Sequence, residues 1–363
     1  MTKMTNRRQF LKNMVAVSSL SLSSCGWKLA NVSSNHTSSG QSDTLYIYTW
    51  TQYTDSELLS TFTTQTGIKV LADFYDSNDV MLAKLQAGGA ATYSIIYPSD
   101  YMVQKMVEKN LLTEINHESL IGLDNLFTQF KNPSYDPNNR YSIPFNWGTT
   151  GLLYNSEKLE NPPEDWEYLW QNQDKLYKRM TLLNDVREVM GAALKMLGYS
   201  YNSQNETEVK QAYEKLKILK PAIAAFDTDA WQNQLLAGDL LLAMCYSTDA
   251  VNISKENPKF KYVIPRSGSS LWTDTIVIPK IAANLAGAYA WINLILQPDV
   301  TAKLSKRLNI STPNRAGFEQ LPKQSRENTN LFPPESLLAK CERSTPIGEF
   351  EEVYERYWTQ LLA

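Results

Sequence analysis

TLYIYTWTQYTDSELLSTFTTQTGIKVLADFYD (44–76) carries the pattern from which the fold is read. Its first seven residues alternate, with Leu45, Ile47 and Thr49 on one side and Tyr46, Tyr48 and Trp50 on the other, the period of a strand. Thr54 to Glu57 fits a capping box, and Gly67 closes the helix that the box opens. IKVLADFYD (68–76) then reads as a second strand, and a helix over 78–86 ends at Gly88-Gly89. YSIIYPSDY (93–101) is a buried strand stopped by Pro98, with a helix from about Tyr101 to Asn110. Strand and helix in alternation predict a parallel sheet with helices on both faces. In such sheets ligands sit beyond the carboxyl ends of the strands. YTWTQYTD (48–55) and YPSDY (97–101) are both connections at that edge, and both are rich in rings and hydroxyls.

Working outward, RYSIPFNWGTTGLLYN (140–155) breaks the rhythm with two extended runs around Trp147-Gly148 and reads as a crossing between two lobes. Helical segments are predicted at 164–178, 187–197, 206–219 and 228–237. DLLLAMCY (239–246) and SLWTDTIVIP (270–279) read as strands, the second as the return crossing. Helices at 283–296 and 298–307 precede STPN (311–314), and EFEEVYERYWTQLL (349–362) is helical.

A chain of 363 residues exceeds one typical core, which agrees with two lobes. Residues 1–24 hold Lys3, Arg7, Arg8 and Lys12 and no acid, and NRRQFLK (6–12) precedes a short, weakly apolar run. This is the pattern of an export signal of the twin-arginine type. LSSCG (22–26) resembles the lipobox of bacterial lipoproteins, with Cys25 as the lipid acceptor, and 25–43 reads as a flexible tether rich in Ser, Asn and Gly. Loss of the signal removes four of 35 basic residues and leaves 31 against 38 acidic ones, a net of −7. An acidic domain is a poor nucleic-acid binder and a reasonable host for cations. No run of eighteen apolar residues follows the signal, so no transmembrane helix is predicted. Cys245 and Cys341 are able to pair outside the cytoplasm, although Cys245 sits in an apolar run that equally suits a buried free thiol.

Catalytic motifs are missing from this sequence. There is no GxSxG, HExxH, Walker loop or GxGxxG, and no Cys/His set at metal spacing. His36 lies in the tether and His117 stands among polar neighbours. No catalytic residue, cofactor or metal is expected. Rings beside carboxylates do recur. Trp272 and Asp274 are two apart on a strand and share a side, and a ring next to an anion suits an ammonium on a methylene chain. A core Trp with a hydrogen-bonded Asp fits that pair as well. Asp185 and Glu188 stand at a strand-to-helix junction, as an N-cap with its capping-box partner or as two acids facing a cleft. Tyr246 and Asp249 follow a strand, in a ligand loop or an ordinary polar one.

These stretches together resemble the periplasmic spermidine/putrescine-binding proteins of bacterial ABC transporters, over roughly 44–363. TLYIYTWTQY, TGIKVLADFYDSN, YPSDY, YSIPFNWGTTG, NDVREV, LGYSYN, LWTDTIVIP, LQPDV and STPN carry the likeness, in the family's order and spacing. The resemblance implies an α/β, two-lobed type II periplasmic-binding fold, each lobe a mainly parallel sheet flanked by helices. It divides the chain into 44–147 with 274–318 and 148–273 with 319–363. It further implies a monomer that closes on a linear polyamine without chemistry and hands it to permease subunits. The site carried over comprises Trp50, Thr51, Gln52, Tyr53, Ser99, Tyr101, Asp185, Glu188, Tyr246, Asp249, Trp272 and Asp274. Gln52 stands where spermidine binders have Glu, Tyr246 where they have Trp, and Ile310 where they have Tyr. Their late Gln contact has no match near Glu342 and Arg343, whereas Asp249 sits where putrescine binders place an acid. Spermidine is expected first and putrescine second, in the periplasm, on the inner membrane only through lipid on Cys25. A binder of another solute with the same fold, or a two-carboxylate hydrolase, is the rival expectation.

Overall fold

The computed structural model describes residues 43–363. The signal expected over 1–24, the expected lipid acceptor Cys25 and the expected tether up to residue 42 lie outside the described residues. Strand β1 (Thr44–Trp50) leads into α1 (Ser56–Thr66), β2 (Lys69–Tyr75), α2 (Asn78–Gln86), β3 (Ile95–Ile96) and α3 (Asp100–Glu108). The long β4 (Ser142–Asn155) follows, then α4 (Tyr168–Gln171), β5 (Met180–Leu182), α5 (Val186–Met196), α6 (Glu206–Leu219), β6 (Ile223–Phe226) and α7 (Trp231–Ala237). β7 (Leu242–Tyr246), α8 (Ser247–Glu256), β8 (Phe260–Val263) and β9 (Leu271–Val277) complete the strands. The chain closes with α9 (Leu285–Ile295), α10 (Pro298–Leu308), α11 (Arg315–Glu319), α12 (Lys323–Arg326), α13 (Glu335–Leu338) and α14 (Phe350–Leu362).

The strands join in the order β2-β1-β3-β9-β4-β7-β5-β6, with β8 also on β4. β1 runs parallel to β2 and β3, and β5 runs parallel to β6 and β7. Between these two parallel sets stand β4 and β9. Residues 142–149 of β4 pair antiparallel with β9, and residues 150–155 pair with β7 and β8. The two extended runs expected around Trp147-Gly148 are therefore one uninterrupted strand that serves both halves. The divisions drawn at 147/148 and 273/274 fall inside β4 and β9.

Alternation along the strands builds a core on each face of each half. Leu45 and Ile47 pack with Phe62 and Trp291, whereas Tyr48 packs on the other face with Met81, Met106 and Val277. In the second half Leu152 joins Val189, Leu216 and Trp358, while its neighbour Leu153 joins Trp231 and Phe260. Each buried side chain of this size contributes about 1.5–3 kcal/mol against exposure. Residues after STPN stay with the first half for a time. Ser311 Oγ donates to the Leu331 carbonyl at 2.7 Å, and the Phe332 ring lies against Phe318 and Trp147. The chain rejoins the second half where Ser270 bridges Glu342.

Several local expectations are corrected. The N-cap of α1 is Asp55, whose side chain accepts from Leu58 N at 2.8 Å, so the box expected at Thr54–Glu57 does not form. The predicted helix over 164–178 reduces to the four residues of α4. Asp165 spends its carboxylate on Trp166 N and Ser267, and Asn172 turns its amide back to the Tyr168 carbonyl, local bonds that compete with helix. α8, where a loop was one reading, and the short β8 were not anticipated. Cys245 is buried and Cys341 partly buried, and both are free thiols.

Candidate functional site

The carboxyl ends of both parallel sets meet at one place. The turns after β1, β2 and β3 from one half, and after β5, β6 and β7 from the other, surround a cleft of about 720 Å³. All twelve residues expected from the sequence line it.

Asp274 forms the floor. It is 6% exposed on β9, bridging Ser99, whose Oγ donates to Oδ1 at 2.6 Å while Tyr53 donates its hydroxyl to Oδ2. Asn146 and Asn78 brace those two donors, through Asn146 Nδ2 to Tyr53 OH at 3.0 Å and Asn78 Nδ2 to Ser99 Oγ at 3.0 Å. Burial pushes the carboxyl up to about 7, with the Ser99 and Tyr53 hydroxyls opposing and Asp100 adding. Behind it Asp100 faces Arg343 at 3.1 Å, yet burial still holds that acid up at about 6.

Asp185 is the N-cap of α5 and accepts from Arg187 N and Glu188 N at 2.9 and 3.1 Å. Glu188 does not reach back to complete a box. It takes the Tyr201 hydroxyl at 2.7 Å and points inward, 6% exposed. Both carboxyls are raised, mainly by burial, and Glu188 further by the charge of Asp185. The capping reading and the cleft reading thus hold together for Asp185. A further acid, Asp249, lies in the first turn of α8 and accepts from Gln52 Nε2 across the cleft at 3.2 Å. Burial lifts it to about 6, Gln52 opposes, and Asp229 adds.

Rings form the walls. Trp50 anchors its indole N–H on the Tyr97 carbonyl at 2.8 Å and leans on Tyr75, centroids 4.6 Å apart. Trp272 meets Tyr246 edge to face at 5.7 Å. It lies flat because residue 148 is glycine, where a Cβ would come within 2.4 Å of the indole. Tyr101 holds Asn78 at 3.1 Å. Ten carboxyl side chains line the cleft against two cationic ones, Lys105 and Arg187. Arg187 is committed to the Thr345 carbonyl and Asn202, and Lys105 to Glu351. Among the described residues no group of three His, Cys, Asp or Glu is placed to hold a metal ion.

Other positions fall elsewhere. Ile310 is buried in the first half's core, and Glu342 binds Lys195 and Ser200, so neither lines the cleft. Missed from the sequence were Asp79, Asp229, Glu351, Glu355 and Trp358. Asp79 was legible as a polar residue beside a strand end; those of α14 carried no such signal.

Residues 57–333 match the profile described as bacterial extracellular solute-binding protein. The chain belongs to that family. It is similar to the spermidine/putrescine-binding periplasmic protein of Salmonella typhimurium, 34% identical over 98% of this chain and 99% of that one. Among solved structures, a Listeria monocytogenes protein assigned to a spermidine/putrescine ABC transporter superposes with a TM-score of 0.84 at 35% identity, covering 88% of this chain and 99% of that one. The spermidine/putrescine ABC transporter substrate-binding protein of Streptococcus pneumoniae does so with 0.79 at 33%, covering 88% and 98%. The fold of this solute-binding protein is that of type II periplasmic binding proteins. Among the described residues no helix is long and apolar enough to cross a membrane.

Proposed function

We propose that this solute-binding protein captures polyamines, spermidine first and putrescine second, and delivers them to the permease of an ABC importer. The observation that carries this reading is the tenfold set of carboxyls, with two already engaged cations, between indole and phenol walls. An ammonium on a methylene chain is the ligand class that such a lining complements, since rings cover the CH₂ units at about 0.5–2 kcal/mol per cation contact. Asp274 would hold one ammonium, and Asp185 with Glu188 another, with Asp249 supplementing them. Trp50, Thr51, Gln52, Tyr53, Ser99, Tyr101, Tyr246 and Trp272 supply walls and hydroxyls. The names of the relatives support the same class.

Closure follows from the ligand touching both halves. We read 44–147 with 274 onward as one lobe and 148–273 with the C-terminal segment as the other, the last crossing falling near Cys341 rather than at 318/319. The monomer would be exported through residues 1–24, lipidated on Cys25, and held at the outer side of the inner membrane by the tether. Two or three acyl chains suffice for that, whereas one does not. Calorimetry of the purified protein with putrescine, spermidine, sugars and ferric ion tests the ligand class. Binding confined to oligoamines is expected, and heat from only the other solutes overturns the reading. A Cys25→Ala variant recovered in the soluble fraction tests the anchor; unchanged membrane association rejects it.

A further inference from the structure

The rim of the cleft already contains an ammonium. Lys105 lies on α3 four residues beyond Tyr101, on the same face and about 6 Å further out along the axis. That step is of the size of one more alkyl-amine unit. Its Nζ donates to Glu351 Oε2 at 3.1 Å, across the opening, from one half of the molecule to the other. Glu351 and Glu355 stand one turn apart on α14, and Trp358 follows on that face, so the second half offers two acids and an indole there. Asp79 and Asp185 are close enough to raise the Glu355 carboxyl, with burial as the main cause, while Lys105 opposes the rise. Asp185 therefore belongs to both the inner acid pair and this outer group.

We propose that Lys105 is a specificity-determining residue whose own ammonium, on its own methylene stem, occupies an outer ammonium subsite formed by Glu351, Glu355 and Asp79, and so limits the length of the polyamine the cleft accepts. This rests on the polyamine reading above and deepens it. A diamine or triamine seated on Asp274 and Asp185/Glu188 leaves Lys105 in place. A tetraamine that extends past Asp185 meets a like charge and must displace Lys105 from Glu351.

Competitive calorimetry on the mature protein with putrescine, spermidine and a linear tetraamine gives the test. In Lys105→Met the ratio of tetraamine to spermidine affinity is expected to rise about tenfold, the value of one contact of about 1.4 kcal/mol. Lys105→Arg keeps the charge and is expected to keep the parent ratio, and Lys105→Met with Glu351→Gln is expected to lose most of the gain. If Lys105 serves only as a clasp between the halves, Lys105→Met shifts all three ligands equally and the ratio stands still, which overturns the inference. Absence of binding of any oligoamine to the parent protein would instead overturn the function proposed above, so the two failures are distinguishable.

Discussion

The two ends of the cleft hold their acids by different means. Asp274 sits on a strand and is held by side-chain donors, Ser99 and Tyr53, each braced by an asparagine. Asp185 sits at a helix start and is held by backbone N–H groups. The first arrangement is tuned by neighbouring residues and is easily disturbed by mutation. The second comes with the helix itself, so its charge and its structural role are tied together. Buried among hydroxyl donors and without a cation, Asp274 has its proton affinity lifted to about 7, as has Glu188 beside Asp185 at the other end.

The largest effect should come from the strand end. Asp274→Asn is expected to weaken spermidine binding by about 2–5 kcal/mol in calorimetry, because a desolvated ammonium loses its counter-charge. Ligand-free melting at pH 8 should not fall, since an unpaired buried anion is removed with it. A loss below twofold would show that the strand end matters less than the rings.

At the helix end, Asp185→Asn keeps an N-cap and loses a charge, so affinity should drop about tenfold while the ligand-free melting point stays put. Asp185→Ala should add a stability loss of about 1 kcal/mol in urea unfolding. Equal stability for the two variants would break the contrast drawn here.

Raised acidity is common to both ends, since Glu188 is also lifted to about 7. Asp274 near 7 and Asp249 near 6 are raised above their ordinary range, so their contribution to ligand-free stability is full below about pH 4 and is lost as pH rises through 6 to 7. The ligand-free protein should thus melt lower at pH 8 than at pH 5, as far as these groups decide it. Spermidine favours the ionised forms, and its affinity should fall as pH drops from 8 to 5.5. Asp274→Asn should flatten that slope, and a titration series that leaves it unchanged removes Asp274 as the source.

The smallest effect tests the tuning alone. Tyr53→Phe removes one donor and should lower affinity at pH 7 by about threefold to tenfold, the value of one ordinary hydrogen bond, because Asp274 keeps its Ser99 donor. The pH profile should move to higher values, because the donor that opposes the rise is gone.

How much of this was readable in the chain depends on where each residue stands. Loops after β1, β3, β5 and β7 were legible, since parallel strands send their carboxyl ends to one edge and these loops are rich in rings, hydroxyls or acids. The ribbon β4 was half legible. Its apolar run was plain, but continuity through Trp147-Gly148 depends on the Trp272 ring filling the space a side chain would take. α14 was legible as an amphipathic helix and illegible as a wall. Tyr354, Tyr357 and Trp358 pack in the second half's core, and only the docking angle sends Glu351 and Glu355 to the cleft. The helix over 164–178 failed because side-chain bonds from Asp165 and Asn172 outweighed periodicity. Glu188's partner, Tyr201, lies thirteen residues away beyond a helix, a separation no local pattern reports.

The docking of α14 has a consequence for biogenesis. The second half's core reaches from Leu152 to Leu361, with Tyr354 and Trp358 among its large members. That half cannot close until α14 has emerged from the ribosome, so its core stays open long after β4 to β7 have been made. A nascent chain stopped at residue 345 would expose the greasy side of α5 and α6 and would be a substrate for proteases, not a weakened receptor.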